Sequence, residues 1–169
     1  MKNILLLSVS FIIFQGAVFS QSCLPEGITF TTQAQIDSFQ VNYPSCSRIE
    51  GNVIISGAGI GHLNGLNSLT SIGGNLLIEN ISFLQSFSGL ENIRTIDGDL
   101  ELSTLYNISG YSGFEGLKKI GGDLNLISNF GVYSFEGFNH LDSIQGSLLV
   151  HAGALLDNLS GFEIGRAHV

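Results

Sequence analysis

Tryptophan is absent from the 169 residues, methionine occurs only as Met1, and there are two prolines, two cysteines and six Lys and Arg residues in total. Each scarcity excludes something. Nucleic-acid binding is built on clustered Lys and Arg against phosphate. Between Gln21 and Phe162 only Arg48, Arg94, Lys118 and Lys119 are basic, against thirteen acidic residues, a formal charge of −9. No nucleic-acid partner is therefore expected. After residue 20 no continuous apolar run reaches the ~20 residues of a membrane-spanning helix, so no transmembrane span is expected. Cys-x-x-Cys and Gly-x-Ser-x-Gly are both missing, which removes the usual redox pair and the nucleophile elbow. His62, His140 and His151 have no ligand-like spacing, so neither a metal nor a cofactor is expected.

The two ends stand apart from the middle. Lys2, the apolar run Ile4 to Phe14 and the small residues leading to Val18-Phe19-Ser20 have the layout of a secretory signal over residues 1–20, with cleavage after Ser20. Lipidation at Cys23 is the alternative, but Ser20-Gln21-Ser22 is a poor run-up to a lipidated cysteine. Residues 163–169, Glu163-Ile164-Gly165-Arg166-Ala167-His168-Val169, break the preceding pattern and resemble the translation of a short-read sequencing adapter; a short genuine tail is the alternative.

Between these ends the chain repeats itself. Aligned on one isoleucine it reads Ile49-Glu-Gly-Asn-Val-Ile-Ile, Ile72-Gly-Gly-Asn-Leu-Leu-Ile, Ile96-Asp-Gly-Asp-Leu-Glu-Leu, Ile120-Gly-Gly-Asp-Leu-Asn-Leu and Ile144-Gln-Gly-Ser-Leu-Leu-Val, at spacings of 23, 24, 24 and 24. A second apolar series runs in three-residue steps before each of the last four, as in Leu66, Leu69, Ile72 and Phe114, Leu117, Ile120. The alternation predicts a short strand per repeat, with pairs such as Leu100 and Leu102 facing inward and Ile54, Leu77, Glu101, Asn125 and Leu149 facing out. One repeat cannot bury its own apolar side, so stacking must make the core, with successive strands parallel. The glycines at 51, 74, 98, 122 and 146 suit a corner that needs positive φ or a close backbone approach. The expected fold is an all-β parallel solenoid of about five rungs over residues 49–162, incomplete at its C-terminal end. A leucine-rich repeat is the competitor, but its Leu-x-x-Leu-x-Leu-x-x-Asn order is not met.

Residues 21–48 read as an N-terminal cap. Thr32, with Gln35 three residues on, has the form of a capping box at the start of a short helix carrying Ile36 and Phe39 on one face. Cys23 and Cys46, in an exported chain, are expected to form a disulfide that ties down the helix flanks.

Cys23-Leu-Pro-Glu, the helix, Cys46-Ser-Arg-Ile-Glu-Gly-Asn-Val-Ile-Ile and the recurring Gly-Leu-x-x-Leu-x-x-Ile-x-Gly-[Asn/Asp]-Leu resemble the receptor L-domain family across Gln21 to Phe162, with the flavour of exported Bacteroidota surface proteins. The resemblance implies a right-handed β-helix, secreted or held at the cell surface, that serves as a binding or adhesion module for an extracellular protein or glycan and has no catalytic centre. The resemblance implies that a second cap, C-terminal cysteines or a sorting domain would follow these rungs, so the chain is expected to be a C-terminally truncated fragment.

One column invites a catalytic alternative. Asn52, Asn75, Asp99, Asp123 and Ser147 recur once per rung, about 4.8 Å apart if the strands stack in register. Asp99 and Asp123 would be neighbours, as in a β-helix carbohydrate-active enzyme using paired carboxylates. The plainer reading is that small polar residues after glycine satisfy turn backbone groups. The candidate ligand face comprises Glu101, Asn125, Asp99 and Asp123, with Tyr106, Tyr111 and Tyr133 as aromatic contacts from the variable segments, although inward packing is an equal expectation for each tyrosine.

Overall fold

The computed structural model describes residues 21–151; the expected signal, the segment from residue 152 to 162 and the 163–169 tail lie outside the described residues. The alternation of apolar and polar residues does produce strands, but each rung carries two of them. The first comes at the recurring isoleucine and the second at the Leu-x-Leu pair. In chain order they are β1 (Ser22–Cys23), β2 (Ile28–Phe30), β3 (Arg48–Ile49), β4 (Val53–Ser56), β5 (Ser71–Ile72), β6 (Leu76–Ile81), β7 (Thr95–Ile96), β8 (Leu100–Leu105), β9 (Lys119–Ile120), β10 (Leu124–Ile127), β11 (Ser143–Ile144) and β12 (Leu148–His151). The odd-numbered strands form a sheet of two-residue strands in the order β1-β3-β5-β7-β9-β11; the even-numbered ones form the longer sheet β2-β4-β6-β8-β10-β12. All pairings are parallel and step by one repeat, for example Leu76↔Leu100↔Leu124↔Leu148. The result is a parallel β-solenoid of about five rungs.

The third side of each rung explains the three-residue apolar steps. Leu66 N–H donates to Leu63 O, Leu69 to Leu66, Leu90 to Phe87, Ile93 to Leu90, Phe114 to Tyr111 and Leu117 to Phe114. These consecutive i→i+3 turns bring every third side chain to the same side. The core is a set of columns, including Ile49-Ile72-Ile96-Ile120 and Leu66-Leu90-Phe114-Phe138, all buried. An aromatic seam strengthens it: Phe87, Tyr111 and Phe135 stack at centroid distances of 6.3 and 6.1 Å.

The cap takes the expected form and adds to the sheets. Thr32 is the N-cap of α1 (Gln33–Asp37), with the capping box to Gln35 formed in both directions; α2 (Phe39–Asn42) follows after Ser38. Ile36 and Phe39 are buried. Gln33 fastens the helix to the first rung, its Oε1 accepting from the backbone N–H of Gly61 and His62 and its Nε2 donating to His62 O. Cys23 and Cys46 are joined in a disulfide, with Cα atoms 5.7 Å apart. Because β1 pairs with β3 and β2 with β4, the cap segment also lays one strand onto each sheet ahead of the repeats.

Candidate binding surface

The long sheet is bounded by two corners, and the candidate residues divide between its face and those corners. At the leading corner, just before each long strand, the polar column performs one task rung after rung. The Oδ1 of Asn52 accepts from Asn75 N–H (2.8 Å), that of Asn75 from Asp99 N–H (2.8 Å), that of Asp99 from Asp123 N–H (2.8 Å) and that of Asp123 from Ser147 N–H (2.6 Å). The preceding glycine makes room for this. A Cβ on Gly98 would stand 2.0 Å from Asn75 Oδ1, and one on Gly122 would stand 2.0 Å from Asp99 Oδ1. Of the two reasons expected for these glycines, close approach holds and positive φ does not. Positive φ occurs instead at Gly89, Gly113 and Gly137, which lie on another side of the rung. Asp99 and Asp123 do occupy neighbouring rungs, but each commits one carboxylate oxygen to backbone, as the asparagines do. The column is therefore a hydrogen-bonded ladder that joins rungs, and nothing in it beyond adjacency resembles a paired-carboxylate site.

On the outward face, Thr29, Ile54, Leu77, Glu101, Asn125 and Leu149 align in a single register ladder, with Ser56, Glu79, Ser103, Ile127 and His151 forming a second one. Glu101 and Asn125 are thus side-by-side neighbours. Most of these side chains are half-buried, as expected on a flat parallel sheet, and Ser103 is fully buried between its register partners Glu79 and Ile127. Neither Lys nor Arg stands in either ladder. The four basic residues lie on the opposite, short sheet: Arg48 in β3, Lys119 in β9, and Arg94 and Lys118 just before β7 and β9. Arg48 reaches past β5 to Asp97 (2.9 Å) and also donates to Ser71 Oγ. The long-sheet face accordingly offers apolar, amide, hydroxyl and carboxylate groups, with the cations on the other side.

The trailing corner follows each long strand. Asn80, Thr104 and Ser128 turn the chain there with φ of 56°, 55° and 54°, one per rung. Tyr106 is exposed and stacks on Phe130 at 6.2 Å with ring planes 12° apart; Phe83 and Tyr133 are exposed nearby in sequence. Tyr111 is not a surface contact. It is 1 % exposed, inside the aromatic seam, because it occupies the register position of Leu63, Phe87 and Phe135. Burial pushes its phenol up to about 12, and a hydrogen bond with Asn129 pulls it partly back.

Two contributors escaped the reading of the sequence. Phe130 provides half of the exposed ring stack. Asn129 fills the core position held by Ile81 and Leu105 in the preceding rungs; it is 3 % exposed, accepts from Leu105 N–H at 3.3 Å and donates to Leu102 O at 2.9 Å. A repeat alignment carried three residues past each Leu-x-Leu pair reveals it as a lone polar residue in an apolar column. Among the described residues no group of His, Cys, Asp and Glu could hold a metal ion, and no helix is long and apolar enough to cross a membrane.

The receptor L domain family matches residues 45–112, which cover the end of the cap and the rungs that carry Asn52, Asn75, Asp99, Glu101, Tyr106 and Tyr111. Receptor L domains are extracellular, non-catalytic binding domains. No curated protein and no solved structure matches the chain.

Proposed function

We propose that this chain is a secreted or surface-held recognition module that binds an extracellular protein or glycan on the outward face of its long sheet, and that it carries out no reaction. The observation that carries the reading is the face itself. Five rungs hold outward side chains in strict register, they are neither fully polar nor fully apolar, and neither Lys nor Arg interrupts them. A flat array of this kind gives a partner a broad, pre-ordered contact without the cost of ordering loops. The match of residues 45–112 to a family of binding domains supports the same reading. So does the cystine, which suits an oxidising compartment.

The test is a binding screen of the folded protein against extracellular proteins and glycan arrays, repeated with Leu77→Arg on the long sheet and Thr95→Arg on the short one. Both positions are partly exposed, so both variants should fold. Loss of capture with Leu77→Arg and its retention with Thr95→Arg is expected. Equal loss in both, or in neither, counts against the long-sheet face.

A further inference from the structure

The trailing corner combines an absence of charge with exposed aromatic side chains. Residues 80–90, 102–114 and 124–135 contain no Asp, Glu, Lys or Arg, in a chain of formal charge −9 between Gln21 and Phe162. The four exposed aromatic side chains among the described residues all lie there: Phe83 on one rung, Tyr106 on the next, Phe130 and Tyr133 on the one after. Scattered exposed apolar residues need no explanation, whereas a contiguous group marks a contact. The polar groups interleaved with them are amides and hydroxyls, chiefly Asn80, Gln85, Asn107 and Ser109, all exposed.

We infer that this corner binds a neutral polysaccharide chain. The inference rests on the binding-module reading above and names the ligand class. A pyranose ring has a C–H face that packs on an aromatic ring and a hydroxyl rim that exchanges hydrogen bonds with amides and hydroxyls; the corner supplies both and nothing charged. Tyr106 and Phe130 hold the same position on successive rungs, with ring centroids 6.2 Å apart, so a polymer of repeating units can follow them across the solenoid. A protein partner is the poorer fit, because protein hot spots favour Arg with their aromatic residues, and no Arg is within these segments. Anionic polymers are disfavoured by the acidic remainder of the molecule.

The test uses full-length protein made without N-glycosylation, since the sequons at Asn80 and Asn107 fall inside the corner. Affinity electrophoresis is run in gels containing cellulose- and xylan-type neutral polysaccharides, with hyaluronan as the anionic comparison. Retardation by a neutral polymer, little by hyaluronan, and at least a tenfold loss of affinity in Tyr106→Ser/Phe130→Ser is expected. The outward rings carry little folding stability, and a circular dichroism melt confirms that the double variant is folded. Unchanged retardation of that variant, or equal retardation by hyaluronan, overturns the inference. If no polysaccharide binds while the Leu77→Arg-sensitive capture of a protein persists, the glycan corner falls and the sheet-face reading stands.

Discussion

The two corners of the long sheet turn the same backbone through the same fold by opposite means. At the leading corner every rung repeats the last: a glycine opens a space, and the Asn or Asp of the rung before fills it with an oxygen that accepts the next N–H. At the trailing corner the turn residue is Asn80, then Thr104, then Ser128, the surface residues change from rung to rung, and Asn129 sits where its predecessors are Ile81 and Leu105. One corner is committed to joining rungs and has no side chain left to vary. The other is held from beneath by the aromatic seam, which leaves its outer surface free to differ.

The largest way to break the contrast is Gly122→Ala. The added methyl meets Asp99 Oδ1 at 2.0 Å and displaces the oxygen that holds Asp123 N–H. Overpacking together with a lost hydrogen bond should cost about 3 to 4 kcal/mol, read as a lowered urea midpoint. Gly59→Ala, where a Cβ meets nothing within 4 Å, should stay within about 0.5 kcal/mol of the parent. Equal effects at both glycines would mean that the ladder does not depend on close approach.

The second effect sharpens the role of the seam beneath the trailing corner. Tyr111 ionises near 10 in the unfolded chain and near 12 in the fold. Its phenol therefore contributes fully below pH 10, and that contribution is lost as pH rises from 10 through 12, about 2 to 3 kcal/mol in all. Tyr111→Phe should lose this part of the alkaline limb while keeping the rest, and chemical denaturation from pH 8 to 12 compares the two. Superimposable limbs would place the phenol in solvent.

The smallest effect is at the ladder's acids. Asn52 and Asn75 already do with a carboxamide what Asp99 and Asp123 do with a carboxylate. Asp99→Asn and Asp123→Asn should each change stability by no more than about 0.5 kcal/mol and leave ligand capture intact. Loss of capture in either variant would return the carboxylates to the binding surface.

The division between the corners also governs what could be read beforehand. The solenoid, the Leu-x-Leu strands, the capping box at Thr32 and the cystine were legible because each is a local or periodic signal. The two-residue strands at Ile49 and its equivalents were not. Two residues are too few to show alternation, and the i→i+3 turns before them share the same apolar spacing. The variable segments gave residue types without direction. Tyr106 and Tyr111 are five residues apart on one rung, yet one is exposed and the other buried. What separates them is the register with neighbouring rungs, which pairs Tyr106 with Phe130 and Tyr111 with Phe87 and Phe135.

The Asx ladder has a consequence for how such a chain can change. Each unit of 23 or 24 residues carries a plug, its Asn or Asp, and a socket, the glycine in front of it, and the same parts fit above and below. A whole unit can be duplicated or excised and the junction closes with the same hydrogen bond, whereas a partial unit leaves a plug without a socket. Molecules of this design grow and shrink by whole units, and their reach along a partner varies in the same increments.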